Sequence, residues 1–199
     1  MLLFGAGGHA KVLLSCLRAA GIEINGIFDD AQLSKTPFNV PFPGIYDLGF
    51  CPDESLIIAI GDNFTRRRIS SRIHHRFGKL LHPSAIIDGS VNVLEGTVIL
   101  HRSVIQADTI IGHHVIINTG TIVEHDCVIE DFAHLAPGVI ACGGVKIGEN
   151  TLVGAGSVIA QNLTIGKNCL IAAGSVITTN IPDGAVARGN PARVIRCTL

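Results

Sequence analysis

V-I-I-N-T-G-T-I-V-E-H-D-C-V-I-E-D-F, residues 115–132, decides the fold of this chain. Within it Ile117, Val123 and Ile129 recur at a step of six, and the step continues in both directions. Ile87, Val93, Ile99, Ile105 and Ile111 precede; Leu135, Ala141, Ile147, Val153, Ile159, Ile165, Ile171 and Ile177 follow. Fifteen of these sixteen positions are Ile, Val or Leu, and only Ala141 departs. A modest side chain stands two places before many of them, among them Thr97, Ser103, Thr109, Thr121, Cys127 and Ala133. No helical period produces a six-residue beat, and a fixed internal repeat outranks local propensity.

A six-residue unit of short strand and corner makes one side of a triangular coil, so three units close an 18-residue turn. The segment 87–177 therefore predicts roughly five turns, stacked at about 4.8 Å into a prism about 25 Å long. The branched residues point inward and stack on their equivalents, while small partners fill the corners. The turn length is also a ruler. It sets His125 one coil from Gly143 and Asn118 one coil from Ala136.

The first third reads differently. Leu2-Leu3-Phe4 predicts a strand, Gly5-Ala6-Gly7-Gly8-His9 a turn, and Ala10–Ala20 a helix closed by Gly21. Ile24–Phe28 predicts a second strand ending at Asp29 and Asp30, and a Pro- and Phe-rich loop, Thr36–Gly44, leads to a third at Leu56–Ile60. Gly61-Asp62-Asn63 opens a basic helix, Arg66–Arg76, and Lys79–Leu81 is expected to add a last strand. Such alternation predicts a small parallel α/β domain over residues 1–82, with the repeat domain over 83–199 beginning at Pro83.

Composition excludes several classes. The chain has 199 residues, 15 basic and 16 acidic, for a formal charge of -1, which argues against a nucleic-acid surface. No apolar run is long enough to cross a bilayer and the first residues lack a signal peptide's pattern, so a cytoplasmic protein is expected. Six scattered cysteines without a C-x-x-C pair predict reduced thiols.

Two stretches carry chemistry. A glycine-rich strand–helix corner lets backbone N–H groups approach an anion, and Asp29 and Asp30 lie where a carboxylate meets a ribose or base edge. The glycine spacing is not the full dinucleotide fingerprint, so a nucleotide or nucleotide-sugar site and an unoccupied tight turn both stay open. In the prism, Asn118–Asp126 is the densest polar run. His125 lies two places beyond inward Val123, near a corner, where a neutral imidazole is a competent proton acceptor. Asp126 or Glu124 would orient it, and His134 is expected to reach the same cleft. Bare N–H groups in Ala141-Cys142-Gly143-Gly144 suit a carbonyl oxygen, Cys142 is a candidate nucleophile, and Cys127 reads as core.

Over almost its whole length the chain resembles the sugar O-acyltransferases of the sialic-acid O-acetyltransferase type. Within that family it resembles most the related N-acetyltransferases of nucleotide-linked 4-amino sugars, of bacillosamine and perosamine type. The resemblance rests on Gly5-Ala6-Gly7-Gly8-His9, Phe28-Asp29-Asp30, Gly61-Asp62-Asn63 with Arg66, His82-Pro83-Ser84-Ala85, Asn118–Ile129 and Gly189-Asn190-Pro191-Ala192-Arg193-Val194. It implies a small Rossmann-like α/β domain followed by a left-handed parallel β-helix, assembled as a homotrimer with active sites between subunits. It implies acetyl-CoA as cosubstrate, no metal, and a nucleotide-linked 4-amino-4,6-dideoxy sugar, UDP-linked, as acceptor. Residue by residue it makes His125 the general base, oriented by Asp126 where many relatives carry Glu, and the Gly143 N–H the thioester-oxygen donor. Asn118, His134 and Gly143 fall to acetyl-CoA. Gly7, Gly8, His9, Asp29, Asp30, Asn63 and Arg66 fall to the nucleotide-sugar. Three alternatives use the same framework: a sugar O-acetyltransferase, a zinc hydratase, whose three-ligand set His113, His114, His125 and His134 do not visibly supply, and a non-enzymatic nucleotide-sugar scaffold.

Overall fold

The computed structural model describes residues 1–31 and 39–197; the first part of the Thr36–Gly44 loop lies outside them. Three short parallel strands, β1 (Leu2–Phe4), β2 (Gly26–Phe28) and β3 (Leu56–Ile58), form a sheet in the order β2-β1-β3. All nine strand residues are buried, as strands covered on both faces require. Helix α1 (Gly8–Ala19) covers one face with Ala10, Leu13, Leu14 and Leu17, spaced for a single helical stripe. Helix α2 (Asn63–Ser70) lies against the other, its first turn capped by the Asp62 carboxylate, which accepts from Thr65 N–H at 2.8 Å.

From Leu80 onward the backbone coils. Two-residue strands recur every six residues and pair in parallel with strands 18 residues away, for example Ile122 with Ile140 and Val123 with Ala141. Three sheets of eight, six and five strands form the sides, the first extended by a C-terminal antiparallel hairpin, Ala185–Gly189 with Ala192–Cys197. Helix α2 begins three residues before the expected Arg66 and ends at Ser70, and in the coil two details differ from the sequence reading. Leu80–Leu81 does not join the α/β sheet: it pairs with Val98–Ile99 as the first rung, so the coil has about six turns. Leu81 stands six places before Ile87, the signal for this rung. Ala141 does not interrupt the beat either, being fully buried in its strand.

The inward residues from Ile99 to Ile177 form one core with almost no exposure. Burying each branched side chain stabilises by about 1.5–3 kcal/mol, so this stack dominates the coil. Most buried corner hydroxyls are satisfied 15 residues onward: Thr97 donates to the Gly112 carbonyl, Ser103 to Asn118, Thr109 to Glu124 and Thr121 to Ala136, whereas Ser175 donates back to Ala172. Such bonds add about 1 kcal/mol apiece but, more to the point, leave no stranded polar group.

At every sixth residue from Gly96 to Gly174 one corner residue takes a left-handed backbone. Glycine, Asn and Asp fill most of these places, as sterics favour. The coil meets the α/β sheet through Leu80, Val98 and Ile116, which pack with the buried face of α1. Among the described residues no helix is long and apolar enough to cross a membrane.

Candidate active site

Asp126 is one of the left-handed corner residues, with φ 59°. That turn brings its carboxylate beside the preceding side chain: His125 Nδ1 and Asp126 Oδ2 are 2.7 Å apart, both side chains well exposed. A carboxylate accepts, so Nδ1–H donates and the Nε2 lone pair faces outward. The hydrogen bond to Asp126 raises the His125 pKa above its ordinary value. One rung on, a β-carbon on Gly143 would stand 2.7 Å from both Cε1 and Nε2 of His125. Only glycine lets the ring lie there. Gly144 N–H donates to the His125 carbonyl at 2.9 Å, while Gly143 N–H donates to no group among the described residues. His125, Asp126, Gly143, Gly144, Gln161 and Asn162 line a cavity of about 340 Å³.

His134 does not join this cleft within the chain. It lies in the strand His134–Leu135 on the eight-stranded side, whereas His125 lies at the corner between the other two. The nine-residue separation is one and a half sides, which carries the two residues to different faces. Asn118 and His134 do meet: Asn118 Nδ2 and His134 Nε2 are 3.1 Å apart, and His134 Nδ1 is 3.2 Å from the Gly61 carbonyl. His9 is close by, its ring centroid 6.5 Å from that of His134. Burial first, and then the charge of Arg66, lower both imidazoles to about 4.

A second cavity, about 390 Å³, is lined by Gly5, Gly7, Gly8, His9, Asp29 and Asp30 together with Ile60, Gly61, Thr65 and Arg68. Nothing lies within 4 Å of a β-carbon placed on Gly7 or Gly8, so the turn faces open space. Asp29 braces the turn, accepting from Ala6 N–H at 2.7 Å, and its other oxygen accepts from Ala31 N–H at 2.8 Å. Asp30 pairs with Arg72 at 2.9 Å. Two expected members of this site are placed elsewhere. Asn63 is buried, donating to the Asn150 carbonyl and accepting from Arg66, and Arg66 is 1 % exposed with its guanidinium engaged by oxygens of the chain. Both side chains fasten α2 to the coil.

The Cys127 thiol is buried, donates to the Cys142 carbonyl and is pushed up to about 11, as a core thiol should be. No three His, Cys, Asp or Glu side chains converge among the described residues.

Residues 1–73 match the PglD N-terminal domain, and residues 144–179 match the bacterial transferase hexapeptide family (six repeats). A histidine variant of perosamine N-acetyltransferase from Caulobacter crescentus, solved with CoA and GDP-perosamine, is 35% identical with a TM-score of 0.91. The match covers 98% of this chain and 96% of that one. This chain belongs to the hexapeptide-repeat sugar N-acetyltransferases. The acetyltransferase domain of PglB from Neisseria gonorrhoeae, solved with acetyl coenzyme A, is 33% identical with a TM-score of 0.91, over 98% of both chains. UDP-N-acetylbacillosamine N-acetyltransferase of Bacillus subtilis (strain 168) is 36% identical over 107 residues, 49% of this chain. That match spans only 50% of the curated relative.

In this sugar N-acetyltransferase, sequence reasoning missed Arg68, Gln161 and Asn162. Arg68 lines the glycine-turn cavity, on the exposed face of the helix whose buried face carries Arg66. Gln161 stands 18 residues beyond Gly143, so the ruler that joined Gly143 to His125 also reaches it.

Proposed function

We propose that this protein transfers an acetyl group from acetyl-CoA to the amine of a nucleotide-linked 4-amino sugar, by direct attack and without an acetyl-enzyme. The observation that carries the reading is the His125–Asp126 pair lying over a bare Gly143. The Nε2 lone pair accepts the ammonium-forming proton as the sugar nitrogen attacks the thioester carbon. The oxygen of the tetrahedral intermediate takes the unpaired Gly143 N–H, a kind of donor typically worth about 3–4 kcal/mol. Collapse breaks the C–S bond and expels the CoA thiolate, which takes up the proton held by His125 and restores the neutral imidazole. Cys142 has no part in this route.

The nucleotide diphosphate fits the Gly7–Gly8 turn at the start of α1, with Arg68 as its cation and Asp29 holding the turn in shape. Asn118 and His134 belong to the acetyl-CoA side of the site. Because they and His125 occupy different faces of one prism, the reading requires a second copy to bring them together, and we assign a trimer with sites between subunits. Light scattering tests it: the expected mass is three times the 20.9 kDa of one chain, and a monomer contradicts it.

The acceptor is assigned as UDP-linked. A relative named for a UDP-linked sugar is 36% identical over 49% of this chain, and one solved with GDP-perosamine is 35% identical over 98%, so the base is decided by experiment. Thiol release from acetyl-CoA is measured with UDP-, GDP- and CMP-linked 4-amino sugars and with their 4-hydroxy counterparts. Release with the UDP-linked amine supports the assignment. Release only with hydroxyl acceptors overturns N-acetylation, and none with any acceptor overturns the enzyme.

A further inference from the structure

Arg66 is a buried cation that makes no ion pair among the described residues. Its five donors meet oxygens on both sides of the α2–coil junction. Nε–H donates to the His114 carbonyl at 2.9 Å, and Nη1 donates to the Ile60 and Gly61 carbonyls, each at 3.1 Å. Nη2 donates to Asn63 Oδ1 at 2.9 Å and to the Phe132 carbonyl at 2.7 Å. His114 and Phe132 are the two bulky left-handed corners of adjacent turns, φ 55° and 58°, with rings stacked 4.9 Å apart. A left-handed backbone is costly for such residues, and here both carbonyls are turned to one guanidinium.

The Gly61 carbonyl is shared. It accepts from Arg66 Nη1 and also faces His134 Nδ1. A carbonyl cannot donate, so Nδ1 carries the proton and Nε2 the lone pair. The other end agrees: Asn118 Oδ1 accepts from Thr119 N–H at 2.8 Å, which leaves the Asn118 amide N–H₂ to donate to His134 Nε2.

We propose that Arg66 is a positioning residue of the acetyl-transfer site, fixing His134 as its neutral Nδ1–H tautomer through the Gly61 carbonyl. The inference rests on the reading of His134 as part of that site, but its test does not depend on turnover. The charged or titratable groups acting on His134 are Arg66 from α2 and His9 from α1. Both disfavour imidazolium, in addition to burial.

The tautomer is read by long-range proton–nitrogen NMR on the full chain with ¹⁵N-histidine, His134→Gln supplying the assignment. At pH 6 the expected signal is a single Nδ1–H tautomer, and an Nε2–H tautomer or an imidazolium overturns the proposal. Arg66→Lys keeps the charge but cannot span all five acceptors. In that variant His134 is expected to remain neutral and to divide between tautomers; an unchanged single tautomer also overturns the proposal. Should Arg66→Lys fail to fold, the wild-type spectrum still decides. A His125 variant that left turnover intact would undo the functional reading without moving this nitrogen signal, so the two failures are distinguishable.

Discussion

His125 lies directly over Gly143, one coil turn away, with Nε2 2.7 Å from the place a β-carbon would occupy. Because Gly143 has no left-handed backbone, its need for glycine comes from the ring above it. Gly143→Ala is therefore expected to displace the imidazole and the oxyanion donor together. We expect kcat to fall about 10²–10³-fold, with a melting temperature close to the parent. Steady-state kinetics beside thermal melts checks it; near-parental kcat contradicts it.

Asp126 raises the His125 pKa, and its removal has a definite sign. The reaction needs neutral His125, so kcat/KM falls as pH drops through that pKa. Asp126→Asn removes the carboxylate, and the acid limb of the pH–rate profile is expected to move to lower pH. The plateau should fall too, because an amide can hydrogen-bond either imidazole tautomer. A shift of the acid limb to higher pH contradicts the pairing.

Arg68 is assigned to the nucleotide diphosphate, and Arg68→Ala is expected to raise KM for the sugar nucleotide about tenfold, as for the loss of one charge-assisted hydrogen bond. KM for acetyl-CoA should stay within about twofold of the parent. Equal effects on the two substrates contradict the placement.

Three histidines, buried His114 and half-buried His9 and His134, are each lowered to about 4, desolvation being the first cause. Between that value and about 6.5 the unfolded chain binds more protons than the folded one, so stability rises with pH there. It is therefore lost as pH falls below about 6.5, at up to about 1.4 kcal/mol per pH unit for each histidine. His114→Phe replaces a ring whose Nδ1 has no partner among the described residues and which stacks on Phe132. Urea unfolding from pH 7 to pH 5 should give a shallower pH slope in this variant. An unchanged slope contradicts the burial argument.

The coil was legible because its core is a one-residue signal repeated at a fixed step, and stacking turns that step into position. The same step placed Gly143 beside His125 across 18 residues. Asn63 and Arg66 are buried against the coil rather than lining the glycine-turn cavity, and the sequence could not show this for a physical reason. A polar helix face has the same sequence whether it meets a ligand or a row of backbone carbonyls, and only the docking of α2 onto the coil distinguishes them. His134 lies on a different face from His125 within one chain, because nine residues of sequence span one and a half sides of a three-sided prism. Asp126 shows the reverse case: a corner that demands a left-handed residue suits Asp, and that conformation brings its carboxylate onto the neighbouring ring.

His125→Ala tests the mechanism most directly, with thiol release measured beside calorimetric affinities for acetyl-CoA and the sugar nucleotide. We expect both affinities to stay within about threefold while kcat falls by about 10²–10⁴, the usual contribution of a positioned general base. A variant that binds both substrates and turns over at the parental rate would show that the proton goes elsewhere.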